Sequence, residues 1–418
     1  MNFVKLMWLC NLAPGAVREA ISGKKSSGLW MDHVLSDLRQ EPDLNLHILC
    51  PGESEIQGAL DENCSYGCFT EGLPYVYLPE LEERFRRELR QFRPDCIHIW
   101  GTEYGHTLAM VNAAEKEGFL DKIAVSIQGL CGVYAPHYAE GVPFDVQRGA
   151  TFRDVLRRDN IAQQQKKFAL RGELEEQALR KVHHVIGRTD WDCACTAAVN
   201  PQARYHFCNE TLREDFYTGG WELGTCRKHR IFASSCAYPI KGFHYLLEAF
   251  REIRKIYPDA TLAVPGDSPA ADSFSRKLRQ SSYQRYLAKL MEGMEDSVEF
   301  LGRLSSEEMK AQYLNAQVFV LPSTIENSPN SLGEAMLLGM PCVAADVGGV
   351  TNMMTHNSEG YIYQSTAPYM LKHYIQTLFE QEAQAETMGS RARSHALRTH
   401  DPETNLRTLL EIYGEVAK

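Results

Sequence analysis

Two short apolar runs, Val318–Leu321 and Cys342–Ala345, constrain the fold of this chain more than any other feature. Each is strand-length, apolar on both alternating faces, and bounded by breakers: Pro322 after the first, Pro341 before the second, Asp346 and Gly348 after it. Both therefore read as strands buried on two faces. Between them Ser328 and Pro329 read as a helix start, since Ser can cap free amides and Pro fits the first helical position, and Gly339 ends that helix. Residues 317–350 thus spell strand, loop, helix, strand, glycine-rich turn. A strand that feeds a helix N-terminus through small polar residues makes an anion site, because unpaired amides and the helix dipole point at the loop. Glu326 lies in that loop and Glu334, eight residues on, lies inside the helix.

The same alternation runs through the chain. Strand-like runs at 3–10, 45–50, 96–100, 122–127 and 184–188 alternate with helical patterns near 28–39, 80–92, 106–117 and 171–182. Further strands are expected from Ile231, Thr261 and Val298, and helices near 367–380 and 403–417. Such a pattern predicts parallel α/β sheets with ligands beyond the carboxyl ends of the strands. The 418 residues suit two domains of about 200 each. We expect them at 1–220 and 229–395, with a hinge at 221–228 beside Gly219, Gly220 and Gly224, and a final helical segment at 396–418.

A net charge of −10 argues against a nucleic-acid partner, which would call for a broad basic face. No run reaches the roughly eighteen apolar residues of a membrane span. The run Phe3–Cys10 lacks a basic leader and reads as the first strand. The twelve cysteines include no Cys-x-x-Cys pair, and several sit in strand-like runs, which predicts reduced core thiols and a cytoplasmic protein.

The central stretch carries Pro322-Ser323 before its first Glu, Glu334-Ala335-Met336 around the second, then Gly339-Met340-Pro341 and Asp346-Val347-Gly348-Gly349. This string resembles the Glu-x7-Glu motif of glycosyltransferase family 4, the retaining nucleotide-sugar-dependent enzymes built from two Rossmann-like domains facing across a cleft (GT-B). The resemblance implies that Glu326 meets the donor sugar and Glu334 the ribose, although a Ser331-x-x-Glu334 capping box is the purely structural alternative. Lys241-Gly242 matches the family's Lys-Gly, whose lysine contacts the donor diphosphate. An arginine usual five or six residues earlier is replaced by Ser235 and Cys236, and Arg303 is the candidate substitute. Asn330, Ser331 and Leu332 would offer amides to the departing diphosphate, Gly266 and the loop with Arg303 would wall the nucleobase, and Gly28, in the loop 23–28, would approach the donor phosphates. The final helix would brace the first domain. The implied co-substrate is a nucleoside-diphosphate sugar, UDP-linked, and the acceptor a glycan or a lipid-linked glycan, in polysaccharide or glycoconjugate synthesis. No metal or other cofactor is expected.

In the first half, Glu103 and His106 follow the third strand, where a side chain can reach a substrate hydroxyl, while His98 within that strand reads as a core histidine. Gln128 stands where many members of the family have a His, and an amide cannot act as a general base. Asp190-Trp191-Asp192 has the Asp-x-Asp form of metal-dependent glycosyltransferases, but Thr189 before it favours a helix cap. Residues 133–171 are rich in aromatic and basic side chains. They suit an acceptor wall, peripheral contact with the inner face of a membrane, or a solvated basic helix, and the interleaved Asp154 and Asp159 favour the last by diluting the field. Two other classes share the fold: nucleotide-sugar 2-epimerases and noncatalytic subunits.

Overall fold

The computed structural model describes residues 4–24, 30–271 and 273–418. Gly28 lies outside them. The chain forms two compact units. The first takes the chain through Ala135, then Lys167–Arg213 and Thr399–Lys418; the second is Pro136–Lys166 with Glu214–Arg398.

The first unit is built on strands β1 (Val4–Cys10), β2 (Leu44–Gly52), β3 (Ile56–Ala59), β4 (Cys64–Thr70), β5 (Cys96–Trp100), β6 (Ile123–Ser126), β7 (His184–Gly187) and β8 (Arg204–Phe207). Their order is β3-β4-β2-β1-β5-β6-β7-β8, parallel throughout except that β3 runs antiparallel on β4. Alternation along β1 sends Leu6, Trp8 and Cys10 into one apolar layer and Met7 and Leu9 into the other. The helix Pro402–Val416 completes the first layer with Leu409, Ile412, Tyr413 and Val416. Its Tyr413 hydroxyl accepts from Trp8 Nε1 at 3.1 Å and lies 2.6 Å from His98 Nδ1, while His98 Nε2 reaches Ser126 Oγ at 2.7 Å. Burial pushes the His98 imidazole down to about 3, so it is a satisfied, neutral core group.

The second unit carries β9 (Arg227–Ala233), β10 (Thr261–Val264), β11 (Val298–Phe300), β12 (Ala316–Leu321), β13 (Cys342–Ala345) and β14 (Tyr361–Tyr363). They form one parallel sheet in the order β11-β10-β9-β12-β13-β14. The strand order reverses at β1 in the first sheet and at β9 in the second. Loops leaving either side of such a point diverge and leave a crevice, so β1/β5 and β9/β12 are the places where each sheet is built to hold a ligand.

Two boundaries differ from expectation. The segment 136–166, expected in the first domain, belongs to the second unit, and the chain re-enters that unit at Glu214, ahead of the expected hinge at 221–228. Within the expected hinge Trp221 is buried: its backbone N–H donates to Leu338 O and its Nε1 to Ala316 O, each at 2.7 Å. All twelve cysteines are free thiols, and only Cys193 and Cys195 are not buried. Among the described residues no helix is long and apolar enough to cross a membrane.

Candidate active site

At the β9/β12 crevice two loops touch. Gly242, at φ +64°, lies so close to the loop after β12 that an added Cβ would stand 1.8 Å from Pro322 O. Thr324 N–H donates to Ile240 O at 2.9 Å and its hydroxyl adds a second bond at 3.3 Å, joining the loops again. This close approach, which only glycine permits, delivers Lys241 to Glu326. Lys241 Nζ lies 2.6 Å from Glu326 Oε1, and Ser323 Oγ donates to the same oxygen at 2.8 Å. Glu326 is almost buried whereas the Lys241 side chain is 35% exposed, so the lysine forms the solvent side of the pair. Behind the loop, Gly349 N–H donates to Glu326 O at 3.1 Å, fixing the backbone that carries the carboxylate.

The helix that follows is Asn330–Leu337. Pro329 takes the capping position, and no side chain caps the N-terminus. The expected Ser328 cap is therefore absent, its Oγ pointing to Met353 Sδ at 3.5 Å, and the alternative Ser331/Glu334 box does not form because Ser331 already lies within the helix. The Leu332 amide is already given to Pro329 O at 3.0 Å, which leaves the Asn330 end as the open part of the turn. Glu334 is buried beside Tyr313, whose hydroxyl lies 3.5 Å from Oε2 and 3.1 Å from Ser331 O.

The loops after β10 and β11 are tied by a two-way bridge, Gly266 N–H to Gly302 O at 2.8 Å and Gly302 N–H to Gly266 O at 3.1 Å. They border an open cleft lined by Gly266, Asp267, Phe300, Gly302, Arg276 and Arg279. The last two arginines come from the helix Phe274–Arg279, which the sequence reading did not single out. Arg303 is exposed beside the bridge. Cys236 is buried under the same turn, its Sγ 3.6 Å from Pro265 O, and burial pushes its thiol up to about 12. The place where an arginine is usual in the resemblance is therefore filled by a small neutral group.

At the β1/β5 crevice of the first unit, Asn11 Nδ2 donates to Glu103 Oε2 at 2.6 Å. Gly101 makes room: a Cβ there would lie 2.3 Å from both atoms. Asn11 Oδ1 lies 2.9 Å from His106 Nε2, and His106 Nδ1 lies 2.8 Å from Glu71 Oε1. Both ring nitrogens thus have a polar partner within hydrogen-bond distance. His106 is 2% exposed, and its ring nitrogens are engaged by Asn11 and Glu71. Below lies Glu175, accepting from Thr102 Oγ1 at 2.5 Å and Gly132 N–H at 3.1 Å. Burial, helped by the charge of Glu103, pushes its carboxyl up to about 7, and burial also raises Glu103. Asn11, Glu71 and Glu175 were not legible in the sequence; Asn11 alone carried a signal, its place directly after a strand.

Gln128 is held rather than free. Its Nε2 donates to Glu210 Oε1 at 2.5 Å, Arg188 pairs with the other Glu210 oxygen, and Arg188 Nη2 reaches Gln128 Oε1 at 3.4 Å. Asp192 N–H donates to Thr189 Oγ1 at 3.0 Å in a capping box, and the Asp192 carboxylate accepts from Arg188 N–H at 3.0 Å and Tyr205 Oη at 2.5 Å, so the Asp-x-Asp is a helix start. Among the described residues, His184, His206 and Glu415 form a group with metal-ligand spacing that the sequence did not disclose. Its donors are already engaged: the two rings bond to each other at 2.9 Å and Glu415 pairs with Arg204.

Residues 227–395 match the glycosyl transferases group 1 family. An uncharacterized glycosyltransferase of Haemophilus influenzae is 30% identical over 142 residues, 34% of this chain and 36% of that protein's length. Matches to further curated relatives span half of their length or less. Among solved structures, sucrose-phosphate synthase from Thermosynechococcus elongatus superposes with a TM-score of 0.72 at 16% identity over 99% of both chains. HepE from Anabaena, in complex with UDP-glucose, gives 0.67 at 17% identity over 99% of this chain and 100% of its own. Residues 227–395 are thus similar to the group 1 glycosyl transferases, and the two parallel-sheet α/β units have the GT-B fold.

Proposed function

We propose that the protein is a retaining glycosyltransferase that moves a sugar from a UDP-linked donor to a hydroxyl of a glycan or lipid-linked glycan. The observation that carries this reading is the Lys241–Glu326 pair at the β9/β12 crevice, beside the uncapped start of the helix Asn330–Leu337. Negative charge grows on the diphosphate as the glycosidic bond breaks, so groups that meet it more strongly then than before accelerate the step. Lys241 has three N–H donors and spends one on Glu326, leaving two for phosphate oxygens. The amide at Asn330 and the helix dipole add positive potential from the other side. Glu326, anchored by Ser323, is an acceptor for a sugar hydroxyl and orients the ring. Glu334, a turn further in, suits the ribose.

The cleft lined by Phe300, Arg276 and Arg279 offers a ring face, cations and the Gly266–Gly302 backbone to a nucleobase. HepE, which shares the fold, holds UDP-glucose, and this favours uracil as the base. Retention is supported by Gln128, because an amide locked between Glu210 and Arg188 gives no base for an inverting attack. The test is a panel of nucleotide sugars scored by protection against unfolding and by transfer. A UDP-sugar at a hundred times its dissociation constant should add about 2.7 kcal/mol. If only GDP- or ADP-sugars protect, the base assignment is wrong; if a donor alone is interconverted to an epimer, so is the reaction.

A further inference from the structure

The short helix Phe152–Arg157 is held inside out. Its carboxylate, Asp154, is buried, while Phe152, Val155 and Leu156 are 65%, 68% and 74% exposed. An amphipathic helix ordinarily does the reverse. The inversion is enforced by hydrogen bonds that converge on one carboxylate. Asp154 Oδ2 accepts from Ser282 N–H at 2.8 Å and Thr151 N–H at 3.2 Å, Oδ1 accepts from Arg153 Nη1 at 3.0 Å, and Asp154 N–H closes the capping box on Thr151 Oγ1. These bonds fix the rotation of the helix and present its apolar side to water.

The helix Phe274–Arg279 packs against it and repeats the pattern, with Phe274 78% exposed among Arg276, Lys277 and Arg279 and with no acid of its own. The acids expected to dilute the field do not: Asp154 is buried, and Asp159 is bonded to Arg153 at 3.3 Å. Exposed Arg157, Arg158 and Lys277, which do not line the Gly266–Gly302 cleft, therefore share these two helices and their ends with exposed Phe152, Val155, Leu156 and Phe274, on a chain whose net charge is −10.

We propose that this face docks on an anionic lipid bilayer, the apolar side chains entering the interface and the cations meeting lipid phosphates. Charge complementarity selects this occupant over a second copy of the chain, since a two-fold interface through this face would set cations against cations. The inference does not rest on the sugar donor or the reaction. The full chain should float with vesicles of phosphatidylglycerol and phosphatidylcholine, less so as salt rises, and should stay behind with phosphatidylcholine alone. Phe152→Ser with Leu156→Ser, and separately Arg157→Glu with Arg158→Glu, should each lower vesicle affinity by about tenfold or more. Because all four side chains are exposed, circular dichroism and the thermal midpoint should stay unchanged. Failure to float with the anionic vesicles, or equal binding by both double variants, would overturn the proposal. So would a dimer of the natural chain that the Phe152/Leu156 variant converts to a monomer, which would assign the face to a second copy.

Discussion

Lys241 and Gly242 divide the work of the β9/β12 crevice, one supplying charge and the other the close approach of the two loops. Lys241→Ala should lower kcat/KM for the donor by about ten- to a hundredfold, the effect of removing a contact worth roughly 1.5–3 kcal/mol to a phosphate. Arg303→Ala should cost less, because Arg303 is exposed on the loop after β11. Adding Cys236→Arg to Lys241→Ala should restore little, since position 236 is buried under the Pro265–Gly266 turn. Substantial rescue in steady-state kinetics would show that this turn opens for the donor. Gly242→Ala should damage folding and turnover together, its Cβ overlapping Pro322 O. A pH effect belongs to Glu175. Its folded carboxyl titrates at about 7 against an ordinary 4.5, so between these values the folded state binds the extra proton. The stability this contributes is fully present below about pH 4.5 and is lost as pH rises through about 7, at up to about 1.4 kcal/mol per unit. Glu175→Gln should flatten that fall in urea titrations across the window; an unchanged slope would assign it to another group.

The parallel strands were legible wherever they are short, apolar on both faces and fenced by Pro, Gly or Asp. β5 and β13 match their sequence expectations residue for residue. β4 was not legible, because Cys64-Ser65-Tyr66-Gly67-Cys68 lacks β-branched residues and its alternation is carried by two cysteines and a tyrosine; it becomes a strand by pairing with β2 and β3. The Lys241–Glu326 pair could be anticipated because Lys241-Gly242 and the Glu326/Glu334 stretch are each compact local strings. Asn11, Glu71 and Glu175 come from three separate elements, and their grouping is a product of strand order. The C-terminal helix makes a separable prediction. Tyr413→Phe would strand Trp8 Nε1 and His98 Nδ1 in the core, and should cost about 1–3 kcal/mol in denaturant unfolding. No loss would mean that water replaces the hydroxyl.

Across the whole molecule, the two sheets repeat one plan: a strand-order reversal, a glycine that lets two loops meet, and a carboxylate fixed at the meeting point. Gly101 serves Asn11 and Glu103 as Gly242 serves Lys241 and Glu326. The domain boundaries read from the sequence rested on chain length and glycines, whereas the segment 136–166 bonds to residues distant in sequence, Asp154 to Ser282 N–H, Glu140 O to His244 and His137 O to Thr324. With Asp192 committed to capping, sugar transfer should survive EDTA; loss restored by manganese or magnesium would place a metal in the reaction. The central claim is retention of configuration at a diphosphate-linked sugar. Proton NMR of the first product formed from an α-linked UDP-sugar reads the new anomeric linkage directly. An α-linkage is the expected result, and a β-linkage would contradict it.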